Sequence, residues 1–293
     1  GVSSVQEFGK VFISIKSTTG NFIPQSEKDR LVEDLAPFTV ASITPVVVDP
    51  ETLFLILNVS AQFNSNLTTL TASQLASTIT NTLTSFNNDT LKKFNSAFRH
   101  SQVTKLIDES DTSITSNITK VVMGKFFRPT LNEALGYTIS FNNSIYNPHA
   151  RHNSDQGGVI ASTGFKVSGD TVNDMFFDDD GNGNIRRYFV LAGVKNYEDN
   201  KAGIVDYATG TITLNPLTVS QVLDVDGATS IDIRITALPD SSDIIPIRNQ
   251  LVEIDLVNTT VTVGLDRLEV GDINTINIAD RATTSYTNTT SGF

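Results

Sequence analysis

The sequence predicts an α+β protein: a ferredoxin-like (split βαβ) domain over residues 1–130, an all-β domain over 131–270, and a polar C-terminal tail over 271–293. Three observations predict it. Apolar residues before Arg128-Pro129 recur alternately at strand and helix spacing. After that point the helical period vanishes and short β-branched runs alternate with Gly, Asn, Asp and Pro. Asn, Thr and Ser are abundant, while Trp is absent and only 2 Met occur, which is a turn-rich, β-rich composition.

The first strand is Lys10-Val-Phe-Ile-Ser-Ile-Lys16, where Val11, Ile13 and Ile15 share one face. Pro24, Ser26 and Glu27 then open a helix carrying Leu31, Val32 and Leu35, and Pro37 stops it. Ile43 to Val48 and the run Leu53, Leu55, Leu57, Val59, Ala61 and Phe63 are expected to pair as a hairpin across Asp49-Pro50-Glu51-Thr52. Thr71 is positioned to cap a second helix with a Leu75, Ile79, Leu83, Phe86 stripe. A further helical piece is expected over 91–107 and a strand over 117–127. The resulting β-α-β-β-α-β order is that of the split βαβ fold.

Strands of the second domain are expected at 136–141, 159–167, 186–192, 204–207, 211–214, 231–238, 250–256 and 260–265. Asp206-Tyr-Ala-Thr-Gly-Thr211 is a hairpin turn in which Gly210 supplies the positive φ of a short loop.

A chain of 293 residues can bury a large core without covalent staples. It contains no Cys, which excludes disulfides and thiolate metal sites. No apolar run reaches the length of a membrane span. The formal charge of −11 repels phosphate backbones, and the densest basic group is only a pair such as Arg186-Arg187, so no nucleic-acid partner is expected. The lone leading Gly reads as a scar of cleavage from a longer parent.

Motifs for chemistry are sparse. Asp178-Asp-Asp-Gly-Asn-Gly-Asn184 begins like an EF-hand loop, making Asp178, Asp180, Asn182 and Asn184 cation-loop candidates. Yet the twelfth position is Phe189 rather than Glu, and the flanks read as strands, so the same residues also suit a plain hairpin turn. His149, His152 and Asp155 are spaced three apart but lie in a loop with nothing to fix ligand geometry. His100 is read as a surface or interface residue near a helix. Ser162 lacks the preceding Gly of a nucleophile elbow. Asp224 and Asp226 are a carboxylate pair that solvation explains as well as glycoside hydrolysis does. No catalytic residue, cofactor or metal is assigned, and the chain is expected not to be an enzyme.

Several segments carry a family resemblance in consistent order. They include Gly9-Lys-Val-Phe-Ile-Ser-Ile-Lys16, Phe38-Thr-Val-Ala-Ser-Ile-Thr-Pro-Val-Val-Val-Asp-Pro50, Tyr137-Thr-Ile-Ser-Phe-Asn-Asn-Ser-Ile-Tyr-Asn-Pro148 and Gly158-Val-Ile-Ala-Ser-Thr-Gly-Phe165. Asp178-Asp-Asp-Gly-Asn-Gly-Asn-Ile-Arg186, Ile204-Val-Asp-Tyr-Ala-Thr-Gly210 and Asp243-Ile-Ile-Pro-Ile-Arg-Asn-Gln250 continue it. Over residues 9–256 the chain resembles the baseplate-J-like family of contractile phage tails, and within it the wedge subunits of T-even-like phages, in their C-terminal portion.

That resemblance implies a structural role in the virion. The subunit would be a homodimer that contacts other baseplate wedge proteins, is assembled in the bacterial host cytoplasm, and joins an inner ring linking wedges around the tail hub. It implies no cofactor and no membrane partner. Phe126-Phe127 and Met175-Phe176-Phe177 are candidate interface patches, equally readable as core strand. The alternative is an adhesin-like or carbohydrate-binding tail module, which needs an exposed aromatic platform or a cation at 178–184. A cell-wall hydrolase, the third reading, needs two convergent carboxylates in a pocket.

Overall fold

The computed structural model describes residues 9–16, 23–39, 43–149, 158–225, 229–247 and 249–267. The expected tail at 271–293 therefore lies outside the described residues, as do His152, Asp155 and Asp226. Strands are β1 (Lys10–Ser14), β2 (Thr44–Val48), β3 (Glu51–Phe63), β4 (Ile114–Phe127), β5 (Ala134–Ser140), β6 (Ile160–Ser162) and β7 (Phe165–Val167). They continue with β8 (Asp170–Asp179), β9 (Asn184–Leu191), β10 (Val194–Asp206), β11 (Thr211–Val222), β12 (Ile233–Ala237), β13 (Gln250–Ile254) and β14 (Thr260–Leu265). Helices are α1 (Gln25–Leu35), α2 (Ala72–Phe86) and α3 (His100–Asp108).

The chain forms two compact units that interleave in sequence, whereas the texture change had suggested a division near residue 130. One comprises the described residues within Gly1–Leu55, Thr90–Phe98 and Val122–Glu253; the other comprises those within Ile56–Asp89, Arg99–Val121 and Ile254–Phe293.

In the first unit, β1 and β2 pair in parallel, Phe12 opposite Val46, as a sheet of their own. This corrects the ferredoxin-like expectation. The β-α-β-β-α-β order is present, with the second helical stretch broken in two, but a split βαβ unit keeps its first two strands apart and here they are adjacent. The expected β2–β3 hairpin is absent for a local reason. Hairpin turns favour residues with positive φ, and Asp49-Pro50 offers a ring-locked negative φ instead. The apolar stripe of α1 is only half-buried, and the helix has no fully buried residue.

The remainder of the first unit is strand-built. Its order runs β4-β12-β6-β8-β7-β11-β10-β9, with β5 on β11. Because β9 also pairs with β8, the pairings β7-β8-β9-β10-β11-β7 close into a circuit. Phe165, Phe177 and Met175 are fully buried there, and the Phe165 and Phe177 rings stack with centroids 4.7 Å apart. Strand β10 is longer than expected: its Lys195–Lys201 half is polar and carries no apolar alternation to read. Lys125, 9% exposed, pairs with Glu51 at 2.8 Å.

The second unit holds the Ile56–Phe63 part of β3, with β14 parallel to it. Helix α2 is rich in β-branched Thr, a weak helix former. Two features offset that weakness. Thr71 and Gln74 form a reciprocal capping box, and Leu75, Ile79, Leu83 and Phe86 are all buried on one stripe. The Thr hydroxyls turn inward to the chain, for example Thr84 Oγ1 donating to Thr80 O at 2.8 Å. The helix expected over 91–107 begins only at His100, because Asn95 takes a φ of 64° and interrupts it.

Removing the cap tests this account of α2. Thr71→Ala should lower stability by about 1 kcal/mol, read as a lower denaturant midpoint, while Ser73→Ala on the exposed first turn should leave it within about 0.5 kcal/mol.

Candidate functional site

Three successive carboxylates end β8 and enter the turn into β9, and each has a different fate. Asp178 is 1% exposed. Its Oδ1 accepts Arg186 Nε at 2.9 Å, and its Oδ2 accepts Lys195 Nζ at 2.9 Å and the Tyr197 hydroxyl at 3.0 Å. Register creates the pairing: Asp178 lies opposite Arg186 across the β8–β9 ladder. Arg186 also donates to Asp179 O at 2.8 Å and sits 4.2 Å from the Tyr197 ring centroid, while Lys195 Nζ lies 4.2 Å from that of Tyr188. The Asp178–Arg186 bond is buried, where a charge-assisted bond is stronger than at the surface, while Lys195 reaches the site from a one-third-exposed position.

Asp179 is fully buried. It accepts Ile160 N–H at 3.0 Å and the Tyr207 hydroxyl at 2.6 Å. Tyr207 is delivered by the Asp206–Thr211 turn, where the Asp206 carboxylate accepts the Ala208 N–H and the Thr209 hydroxyl. Gly210 (φ 67°) completes that turn, and a Cβ there would strike the Asn143 backbone. Gly158 is needed for another reason: a Cβ would overlap the Asp179 carboxylate.

Asp180 serves its own loop. Its Oδ1 accepts the N–H groups of Asn182 (2.8 Å) and Asn184 (3.0 Å), and its Oδ2 accepts Asn184 Nδ2 at 2.7 Å. Burial pushes this carboxyl upward, but the Asn184 and Asn182 hydrogen bonds and the Arg186 charge together hold it below its ordinary value. Burial pulls Lys195 down, yet the bond and charge of Asp178 hold it above its ordinary value. Tyr197 is raised by burial and by Asp178, and Tyr207 strongly so by burial and then Asp179.

In this geometry the cation-loop candidates face different partners. An EF-type site needs oxygens converging on one point. Asp178 is turned to Arg186, Lys195 and Tyr197, Asp180 to backbone amides, and the Asn182 and Asn184 side chains act as donors to Asp180. Among the described residues no three His, Asp or Glu side chains are grouped to hold a metal ion. The loop is a hairpin lock.

The other candidates are scattered. His149 is exposed, and His100 Nε2 lies 2.8 Å from Thr119 O. Ser162 Oγ accepts the Phe177 N–H, and Asp224 is exposed. Of the apolar patches, Met175 and Phe177 are core, while Phe126 is 42% exposed and meets Phe54 edge-on. Phe127 is half-buried against Tyr137. Sequence reasoning found the acidic triplet but missed Arg186, Lys195, Tyr197 and Tyr207 as its partners. The available signal was Arg186 standing eight residues from Asp178, across a short Gly-containing turn.

A row of rings, Phe176–Tyr188–Tyr197, crosses three strands at centroid spacings of 5.7 Å. Arg186 lies over the Tyr197 ring and Lys195 over the Tyr188 ring. Large apolar side chains do reach solvent elsewhere: Phe38 is 85% exposed, Val172 83%, and Val190, Leu191 and Val194 flank one hairpin tip.

A chain whose acidic run is tied up by its own fold and whose exposed apolar side chains are dispersed fits the class of structural proteins. Comparison with known families narrows this. Residues 3–48 match the family model described as baseplate structural protein gp6, C-terminal domain I, and residues 51–125 match that of its C-terminal domain III. The matches indicate a structural component of the phage baseplate and hence of the virion tail. No curated protein matches the chain. No helix among the described residues is long and apolar enough to cross a membrane.

Two measurements test the lock. Arg186→Ala leaves Asp178 buried beside Lys195 and Tyr197 alone and should cost about 3 kcal/mol; Lys195→Ala, at a one-third-exposed position, should cost under about 1 kcal/mol. Chemical denaturation ranks the two. The depressed Asp180 carboxyl contributes stability that is complete above its ordinary value of 3.8 and lost as pH falls through its lower folded value. Asp180→Asn should flatten that acid limb, measured as the change in unfolding midpoint between neutral and acidic buffer.

Proposed function

We propose that the chain is a baseplate wedge component of a contractile-tailed phage, a homodimer that joins the inner ring linking wedges around the tail hub. It acts as a scaffold and not as an enzyme. It works without cofactor, nucleic acid or membrane, and it contacts other wedge proteins after assembly in the host cytoplasm. The observation that carries this reading is the pair of baseplate-domain matches, in consecutive segments of one chain. Exposed Phe38, Val172, Leu191 and Val194 support it, since a part buried in an assembly leaves apolar side chains exposed when seen alone.

The adhesin-like alternative is less well supported. Its platform residues are capped by cations and its cation loop is occupied by its own amides.

Light scattering of the purified chain across a wide concentration range tests the dimer. A mass twice that of the 31.8 kDa chain is expected, with a permanent-type interface of on the order of 2,000 Å². A strict monomer at the highest concentration would count against the proposal.

A further inference from the structure

We infer that β14 is an exchangeable strand, and that the slot it fills along β3 is a docking site for the β14 of a second copy of this chain. The inference rests on the self-association proposed above and adds where a second chain engages.

Within the sheet the strand is paired along one edge only. Among the described residues it pairs with β3 alone, in parallel, Thr260 opposite Asn58 through Leu265 opposite Phe63. None of its residues is fully buried: Val261 and Val263 are half-buried and the other four are exposed. Helix α2 packs against β14 as well, so a strand that replaces it must restore that contact too.

The slot is nevertheless specific, and specific for this sequence. Thr260 Oγ1 donates to Asn58 Oδ1 at 2.8 Å, and Thr262 Oγ1 donates to Val59 O at 3.2 Å. Leu57 N–H donates to Thr259 Oγ1 at 3.2 Å, and Asp266 N–H donates to Phe63 O at 2.8 Å. A segment that reproduces every one of these contacts is another copy of β14. That identity argues for a second copy over a foreign strand.

The connection also has the form of a hinge. Asp255 folds the chain back through its carboxylate, which accepts the Val257 and Asn258 N–H groups, and through its carbonyl, which accepts the Thr259 N–H. At the crest sits Val257, 90% exposed, the most exposed large apolar side chain among the described residues. Opening the turn would run two hinge segments side by side, where each Val257 gains cover that the closed turn denies it.

The absence of Cys makes the test clean. Ser60 and Thr262 are exposed Cα partners on the two strands, and parallel neighbours about 4.8 Å apart lie within disulfide range. The full chain carrying Ser60→Cys and Thr262→Cys is oxidised after refolding at high concentration, then run on a non-reducing gel. A reducible dimer band as the major oxidised species is expected, with little dimer from either single variant. An intrachain disulfide only, no disulfide, or equal dimer from a single variant would overturn strand exchange. Light scattering of the same sample separates the two ideas. A dimer with an intrachain bond leaves self-association standing without exchange, and a monomer removes both.

Discussion

The buried Asp178–Arg186 pair is the constraint around which the strand-built unit is arranged. Placing a carboxylate at 1% exposure is unfavourable unless every lone pair finds a donor. The fold satisfies it from β9 and β10, and satisfies its neighbour Asp179 from β6 and the Asp206–Thr211 turn. One short acidic run therefore fixes four separate pieces of chain. Geometry so heavily specified suits a part that must hold shape, and it commits Asp178, Asp179 and Asp180 to partners within the fold.

The same logic separates what the sequence disclosed from what it did not. Helix α2 was legible because Thr71, Gln74 and the Leu75-Ile79-Leu83-Phe86 stripe are local signals. β14 was legible to the residue, since Thr260–Leu265 alternates between turns. The pairing of β1 with β2 was illegible because strand partners are chosen by distant contacts, although Asp49-Pro50 argues locally against a β2–β3 hairpin. Local pattern only names the strands. The reach of β10 into Lys195–Lys201 was hidden for a related reason: its polar residues are held by cross-strand partners such as Asp178.

The acidic loop shows how one motif can serve two ends. Asp, Asn and Gly at alternating positions serve a cation site and a tight hairpin equally well in composition. What distinguishes them is the direction of each oxygen. Here Asn184, the residue opening β9, turns its amide inward to Asp180, and the loop closes on itself. Family likeness rests on ordered segments and not on one loop, and the family models match it over residues 3–48 and 51–125.

Finally, β14 finds its partner across the chain: Thr260 meets Asn58, 202 positions earlier. A nascent polypeptide cannot complete that sheet until nearly all described residues have left the ribosome. Such long-range closure slows folding and keeps an unpaired edge on β3 available during synthesis. In a crowded host cell making many copies at once, that interval is when neighbouring chains first meet.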